Sequence, residues 1–225
     1  DQEMSRGLGD VYKRQIHRAK MSNPIVIGVT GGSGAPYAVR LLEVLLEQRR
    51  KVHLVISPSG AEVLRQEMAL QVDPANLSEA DWQGRFAAND SSLMVHPPGD
   101  FFSPIASGSY LTDGMVICPC SGTTLSGVVH GSASNLIQRA AEVHLKERRK
   151  LVLVPRETPV SLIHVENLRK ACLAGAIVLP ASPGWYHGVS RLEDLVDFIV
   201  ARILDQLGIA HDLMRRWGTD GQAST

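Results

Sequence analysis

A Rossmann-like α/β fold, three layers around a mainly parallel sheet, is predicted by three observations. Short apolar runs of strand length alternate with stretches of helical period along most of the chain. The first run, Ile25–Val29, breaks into Thr30-Gly31-Gly32-Ser33-Gly34, and a helical period takes over from Tyr37, with Ala38, Leu41, Leu42 and Leu45 on one face. A later run, Met115–Cys118, breaks the same way at Ser121-Gly122-Thr123-Thr124, ahead of another helix. Strands alternating with helices require right-handed crossovers, hence parallel strands covered on both faces.

In chain order, residues 1–20 carry charge throughout and show neither period, so they are expected to be a non-native or disordered extension ahead of a single domain over 21–225. The piece Met4–Gln15 reads as translated adapter sequence, which makes Met21 the expected start. After the first helix, Val52–Ile56 is a strand ending at Ser57-Pro58-Ser59-Gly60, and the next helix carries Glu67. Between Asp73 and Ser109 only Leu93–Val95 suggests a strand; Pro97-Pro98-Gly99-Asp100 is turn chemistry. Met115–Cys118 is a buried strand closed by Pro119, Asn135–Arg149 a helix, and Leu151–Val154 a strand ending in Pro155-Arg156-Glu157-Thr158-Pro159. Ile163–Ala174 is helical, Ala176–Leu179 is the last strand and Leu192–Leu207 a long amphipathic helix.

Composition narrows the function. Lys plus Arg and Asp plus Glu balance at 23 each, so net charge argues for neither nucleic acid nor an anionic membrane surface. Cys118, Cys120 and Cys172 form no disulfide framework and no C-x-x-C, which fits a reducing cytoplasm, and no apolar run nears the ~18 residues of a spanning helix. The histidines have no H-E-x-x-H or other ligand spacing, so no metal site is indicated.

In parallel sheets ligands sit beyond the C-terminal strand ends. That rule gathers Thr30–Ser33, Ser57, Cys120–Thr124, Arg156–Glu157 and the Pro180–His187 loop along one rim. The first turn suits an anion, because glycines let backbone N–H groups at a helix N-terminus approach it. It is neither G-x-G-x-x-G, since Pro36 and Tyr37 occupy the third glycine's place, nor a P-loop. Arg139 and Lys146, seven apart on one helix, and Arg156 at the next strand end either converge on that anion or pair locally, Arg139 with Glu142. Arg202 borders the apolar stripe of the last helix and either snorkels or serves a ligand or subunit contact. Glu157, stiffened by flanking prolines, is a proton carrier or a structural partner of Arg156. Glu67 has only Arg65 nearby, so simple exposure is its plain reading. Trp185 and Tyr186 stack on a flat ligand or pack in the core.

Five motifs in order are Thr30-Gly-Gly-Ser-Gly-Ala35, Cys118-Pro-Cys-Ser121, Leu145-Lys-Glu-Arg-Arg149, Leu151-Val-Leu-Val-Pro-Arg-Glu157 and Pro183-Gly-Trp-Tyr-His187. With them the chain resembles the UbiX flavin prenyltransferase family from about Ile25 to Trp217. The resemblance implies a dodecamer with sites at subunit junctions. It implies transfer of a dimethylallyl group from dimethylallyl monophosphate to N5 and C6 of reduced FMN, without a metal, giving the prenylated flavin used by UbiD-type decarboxylases. Carried over, Gly31, Gly32, Ser33, Ser57, the turn Ser121, Gly122, Thr123 and Thr124, and Arg139 hold FMN. Lys146, Arg156, Glu157, Tyr186 and Arg202 grip the dimethylallyl phosphate. The three cations then neutralise the leaving phosphate and Glu157 supplies its proton, while Glu67 relayed through Ser33 is the base and Tyr186 with Trp217 faces the allyl cation. Gly32 replaces the family's usual alanine and Trp185 its common phenylalanine. An FMN carrier is the competing reading, although it would need no second phosphate site.

Overall fold

A computed structural model describes residues 22–74, 92–186, 188–214 and 216. The expected extension, Met21, His187 and Trp217 lie outside the described residues. The strands are β1 (Ile25–Val29), β2 (Val52–Ile56), β3 (Leu93–His96), β4 (Gly114–Cys120), β5 (Leu151–Pro155) and β6 (Ile177–Val178). The helices are α1 (Ala35–Glu47), α2 (Pro58–Met68), α3 (Gly122–His130), α4 (Leu136–Lys146), α5 (Leu162–Leu173) and α6 (Leu192–Leu207), with a 3-10 turn at Pro104–Ala106.

All pairings are parallel, in the order β3-β2-β1-β4-β5-β6. The order reverses between β1 and β4, so their C-terminal ends flank the switch point where such sheets bind ligands. β1, β2, β4 and β5 are buried throughout, as strands covered on both faces must be. Side-chain alternation splits the interior: Ile25, Ile27 and Val29 face a core shared with α1 and α6, while Val26, Met115 and Ile117 face one shared with α3 and α4. Each fully buried Leu, Ile or Val contributes about 2 kcal/mol over exposure. The sheet ends at the rim are therefore rigid mounts.

Three boundaries differ from expectation. β4 continues through Pro119 to Cys120, because the β4–β5 register slips between Ile117 and Cys120 and the imide needs no ladder donor there. Helix α4 stops at Lys146 rather than Arg149, and Arg148 takes φ 56°. β6 is only Ile177–Val178, an edge strand held on one side.

Candidate active site

A single hydroxyl ties the two turns at the switch point. Thr30 is buried; its N–H and Oγ1 donate to the Pro119 carbonyl at 3.2 and 2.8 Å, and Oγ1 accepts from the Ser121 N–H at 2.8 Å. A third turn joins them, because the Ser57 N–H donates to the Val29 carbonyl at 3.0 Å. Gly60 makes that approach possible: a Cβ there would lie 2.5 Å from the Val29 carbonyl oxygen. Ser57 Oγ caps α2 by accepting from the Gly60 N–H at 3.0 Å, and Ser121 Oγ caps α3 by accepting from the Thr124 N–H at 3.3 Å. The N-termini of α1, α2 and α3 thus meet at one rim, their positive dipole ends together.

Glu67 is not simply exposed. Its Oε2 accepts from the Gly34 N–H at 3.0 Å and the Ala35 N–H at 2.8 Å, so a carboxylate from α2 caps α1. The N–H groups of Gly31, Gly32 and Ser33 make no hydrogen bond among the described residues and remain available to an anion. A phosphate monoester fits this cradle: three backbone donors, the Ser33 and Ser57 hydroxyls, and no space for a side chain at Gly31, whose Cβ would lie 2.6 Å from Ser59 Cβ. The cap also fixes Glu67 beside Ser33, the neighbour of Gly34.

The other expected residues do not all converge. Arg156 and Glu157 follow β5 on the rim, exposed and not paired with each other. Tyr186 packs edge-on against Phe198 at 5.9 Å; Phe198 and Arg202 both line a cavity of about 310 Å³ beside β6. Those two therefore share a neighbourhood. Arg139 takes its local option, giving NH1 to Glu142 at 2.8 Å and Nε to the Ala106 carbonyl at 3.2 Å. Arg202 likewise pairs with Asp205 at 2.8 Å. Lys146 precedes β5, at the end of the strands opposite the rim that carries Arg156, and pairs with Glu147 at 2.6 Å. The intervening strand alone spans about 16 Å, beyond a lysine's reach.

Two features escaped the sequence. Nothing local marks Thr30 as the stitch between turns 89 residues apart. The buried His53 bonds His96 at 2.6 Å and the Tyr110 hydroxyl at 2.9 Å, and Ser103 reaches His96 at 3.1 Å, pinning the 3-10 segment to β2 and β3. Burial, reinforced by His96, pushes His53 down to about 4. Burial also pushes the Cys118 and Cys120 thiols up, Cys120 to about 12, which removes them as nucleophiles. Among the described residues no three His, Cys, Asp or Glu side chains group to hold a metal.

The family model of the Flavoprotein family matches residues 13–204. A flavin prenyltransferase UbiX of Pseudomonas aeruginosa is 48% identical over 202 residues, covering 88% of this chain and 96% of that protein. AnUbiX (PadA1), solved in complex with FMN and dimethylallyl pyrophosphate, superposes with a TM-score of 0.78 at 35% identity, covering 88% of this chain and 98% of that one. A dodecameric FMN-dependent UbiX-like decarboxylase from Escherichia coli O157:H7 gives 0.75 at 40% identity, over 86% and 98% of the two chains.

Proposed function

The chain belongs to the Flavoprotein family, among its UbiX flavin prenyltransferases, and on that premise we propose the following roles for its residues. The reaction is transfer of a dimethylallyl group from a dimethylallyl phosphate to N5 and C6 of reduced FMN. Reduced FMN, when bound, supplies the electron-rich N5 and C6. The observation that carries the reading is the cradle: three turns tied through Thr30 and the Val29 carbonyl, with free N–H groups at Gly31, Gly32 and Ser33 and the α1 terminus already capped by Glu67. These donors and Ser57 hold the FMN phosphate, while Ser121, Gly122, Thr123 and Thr124 border the flavin.

Loss of phosphate from an allylic carbon leaves negative charge on the departing oxygens and positive charge on the allyl group. Lys146, Arg156 and Arg202 neutralise the first, Glu157 gives it a proton, and the aromatic ring of Tyr186 stabilises the second. Glu67 accepts the proton lost later in the reaction, relayed through Ser33 Oγ. Lys146 ends α4 a strand's length from Arg156 and Glu157, so it serves the site of a neighbouring copy. A homo-oligomer, the dodecamer known for the E. coli relative, accounts for that. The product passes to a UbiD-type decarboxylase, and the free thiols of Cys118 and Cys120 suit a reducing cytoplasm. Among the described residues no helix is long and apolar enough to cross a membrane.

The test is anaerobic incubation of the protein with reduced FMN and dimethylallyl monophosphate, followed by mass analysis of the released flavin. A flavin heavier by C5H8 is expected. Unmodified flavin, with longer prenyl phosphates and the diphosphate also inert, would make the protein an FMN carrier instead.

A further inference from the structure

The His53–His96 pair takes no part in the flavin cradle, yet it leads to Lys146. The pair brackets one segment at both ends. The Tyr110 hydroxyl lies 2.9 Å from His53 Nε2, the Ser103 hydroxyl lies 3.1 Å from His96 Nδ1, and the two rings meet at 2.6 Å between His53 Nδ1 and His96 Nε2. Each neutral ring has one donor and one acceptor nitrogen, so the four groups form one unbroken donor-to-acceptor chain. Burial pushes both rings below the ordinary histidine range, with Asp100 opposing it at His96, so the chain stays closed at neutral pH.

The other side of the segment faces α4. Its carbonyls take the cations of that helix and of the turn after it: Ala106 accepts from Arg139 Nε at 3.2 Å, Tyr110 from Arg149 Nη1 at 2.7 Å, and Gly108 from Arg149 Nη2. Gly108 also packs directly on the Lys146–Glu147 ion pair, since a Cβ there would lie 2.8 Å from Lys146 Nζ and nearer still to the Glu147 carboxylate. Thr112 continues the contact, its hydroxyl 2.8 Å from Nε2 of the buried His144 in α4. An exposed ion pair fixes a long lysine stem weakly, so the backbone wall at Gly108 is what confines the amine. Arg139 depends less on the Tyr110 end, because Ala106 and Glu142 hold it.

We infer that His53 and Tyr110 are positioning residues for prenyl transfer: by clamping the Ser103–Tyr110 segment between the sheet and α4, they set the place of the Lys146 amine. The inference rests on the role proposed for Lys146, which grips the substrate phosphate of a neighbouring copy. Steady-state kinetics of the assembled full chain, with reduced FMN saturating and dimethylallyl monophosphate varied, test it. Tyr110→Phe removes one hydroxyl and keeps the ring; its KM for dimethylallyl monophosphate is expected to rise about tenfold while FMN affinity is unchanged. His53→Asn, whose shorter amide reaches only the Nδ1 position, repeats that rise. His53→Gln extends its amide to the Nε2 position, meets Tyr110 again, and restores KM to within about twofold of the wild type. If either His53 variant does not fold, Tyr110→Phe against the wild type decides alone. Lower urea midpoints with KM unchanged in Tyr110→Phe would make the chain a core contact only and overturn the inference. A wild type that forms no prenylated flavin overturns the reading beneath it and this inference together, whereas an active wild type with an indifferent Tyr110→Phe overturns this inference alone.

Discussion

The flavin cradle and the prenyl-phosphate residues are built on opposite plans. The cradle is intramolecular: three helix N-termini share one rim, Thr30 ties the α1 and α3 turns by bonds of 2.8 Å, Ser57 joins the α2 turn to Val29, and Glu67 of α2 caps α1. The residues assigned to the second phosphate are spread over one chain, with Arg156 and Glu157 on the rim, Tyr186 and Arg202 beside β6, and Lys146 before the start of β5, at the opposite end of the strands. On the proposed roles, the backbone cradle is folded by one chain, whereas the charges assigned to the second phosphate draw on neighbours.

Substitutions break this contrast at different strengths. The largest effect on binding is expected from Gly31→Val, whose Cβ would meet Ser59 Cβ at 2.6 Å while its bulk fills the anion's approach. FMN should no longer co-purify, with affinity reduced more than about 100-fold by titration. Glu157→Gln acts on the other region: FMN affinity unchanged, turnover slowed about 100-fold or more in single-turnover assays, as for a lost general acid. Retained turnover would remove Glu157 from the chemistry.

Thr30→Val deletes the stitch but keeps the shape. It strands the Ser121 N–H and removes one donor to Pro119, for about 1–3 kcal/mol, and FMN affinity should drop roughly tenfold in the same titration. The smallest differential effect comes from acid. His53 and His144 are held neutral by burial, both pushed down to about 4 from 6.5. Below pH 6.5 the unfolded chain takes up protons that the folded chain refuses. Stability is therefore full above that pH and falls toward pH 4, by at most about 3 kcal/mol for each histidine. Urea midpoints should track the fall; neither histidine touches the cradle, so FMN affinity of the folded fraction should not follow them.

Much of this was legible in the residues. The apolar runs at Ile25–Val29, Val52–Ile56 and Leu151–Val154 set the strands because buried parallel strands need continuous apolar sequence, and the glycines after Val29 located the anion turn. Glu67 was legible as a candidate but not as a cap, since its partners Gly34 and Ala35 lie 33 and 32 residues away and backbone donors leave no trace in a side-chain pattern. Spacing correctly put Arg139 beside Glu142, but could not show that Lys146 ends its helix at the start of β5 while Arg156 follows its end, because helical periodicity fixes the face and not the layer's direction. Pro119 misled for a local reason: a proline usually closes a strand, yet here its carbonyl anchors Thr30 inside β4.

Subunit complementation tests the contrast most directly. Chains carrying Lys146→Ala and chains carrying Glu157→Gln, each nearly inactive alone, are co-expressed so that they assemble together, and prenylated flavin is measured. If Lys146 and Glu157 reach one site from different chains, random mixing regenerates intact sites and restores roughly a quarter of wild-type activity. If both serve the site of their own chain, the mixed assembly stays as inactive as its parts, and the division between an intramolecular cradle and a shared reaction site is wrong.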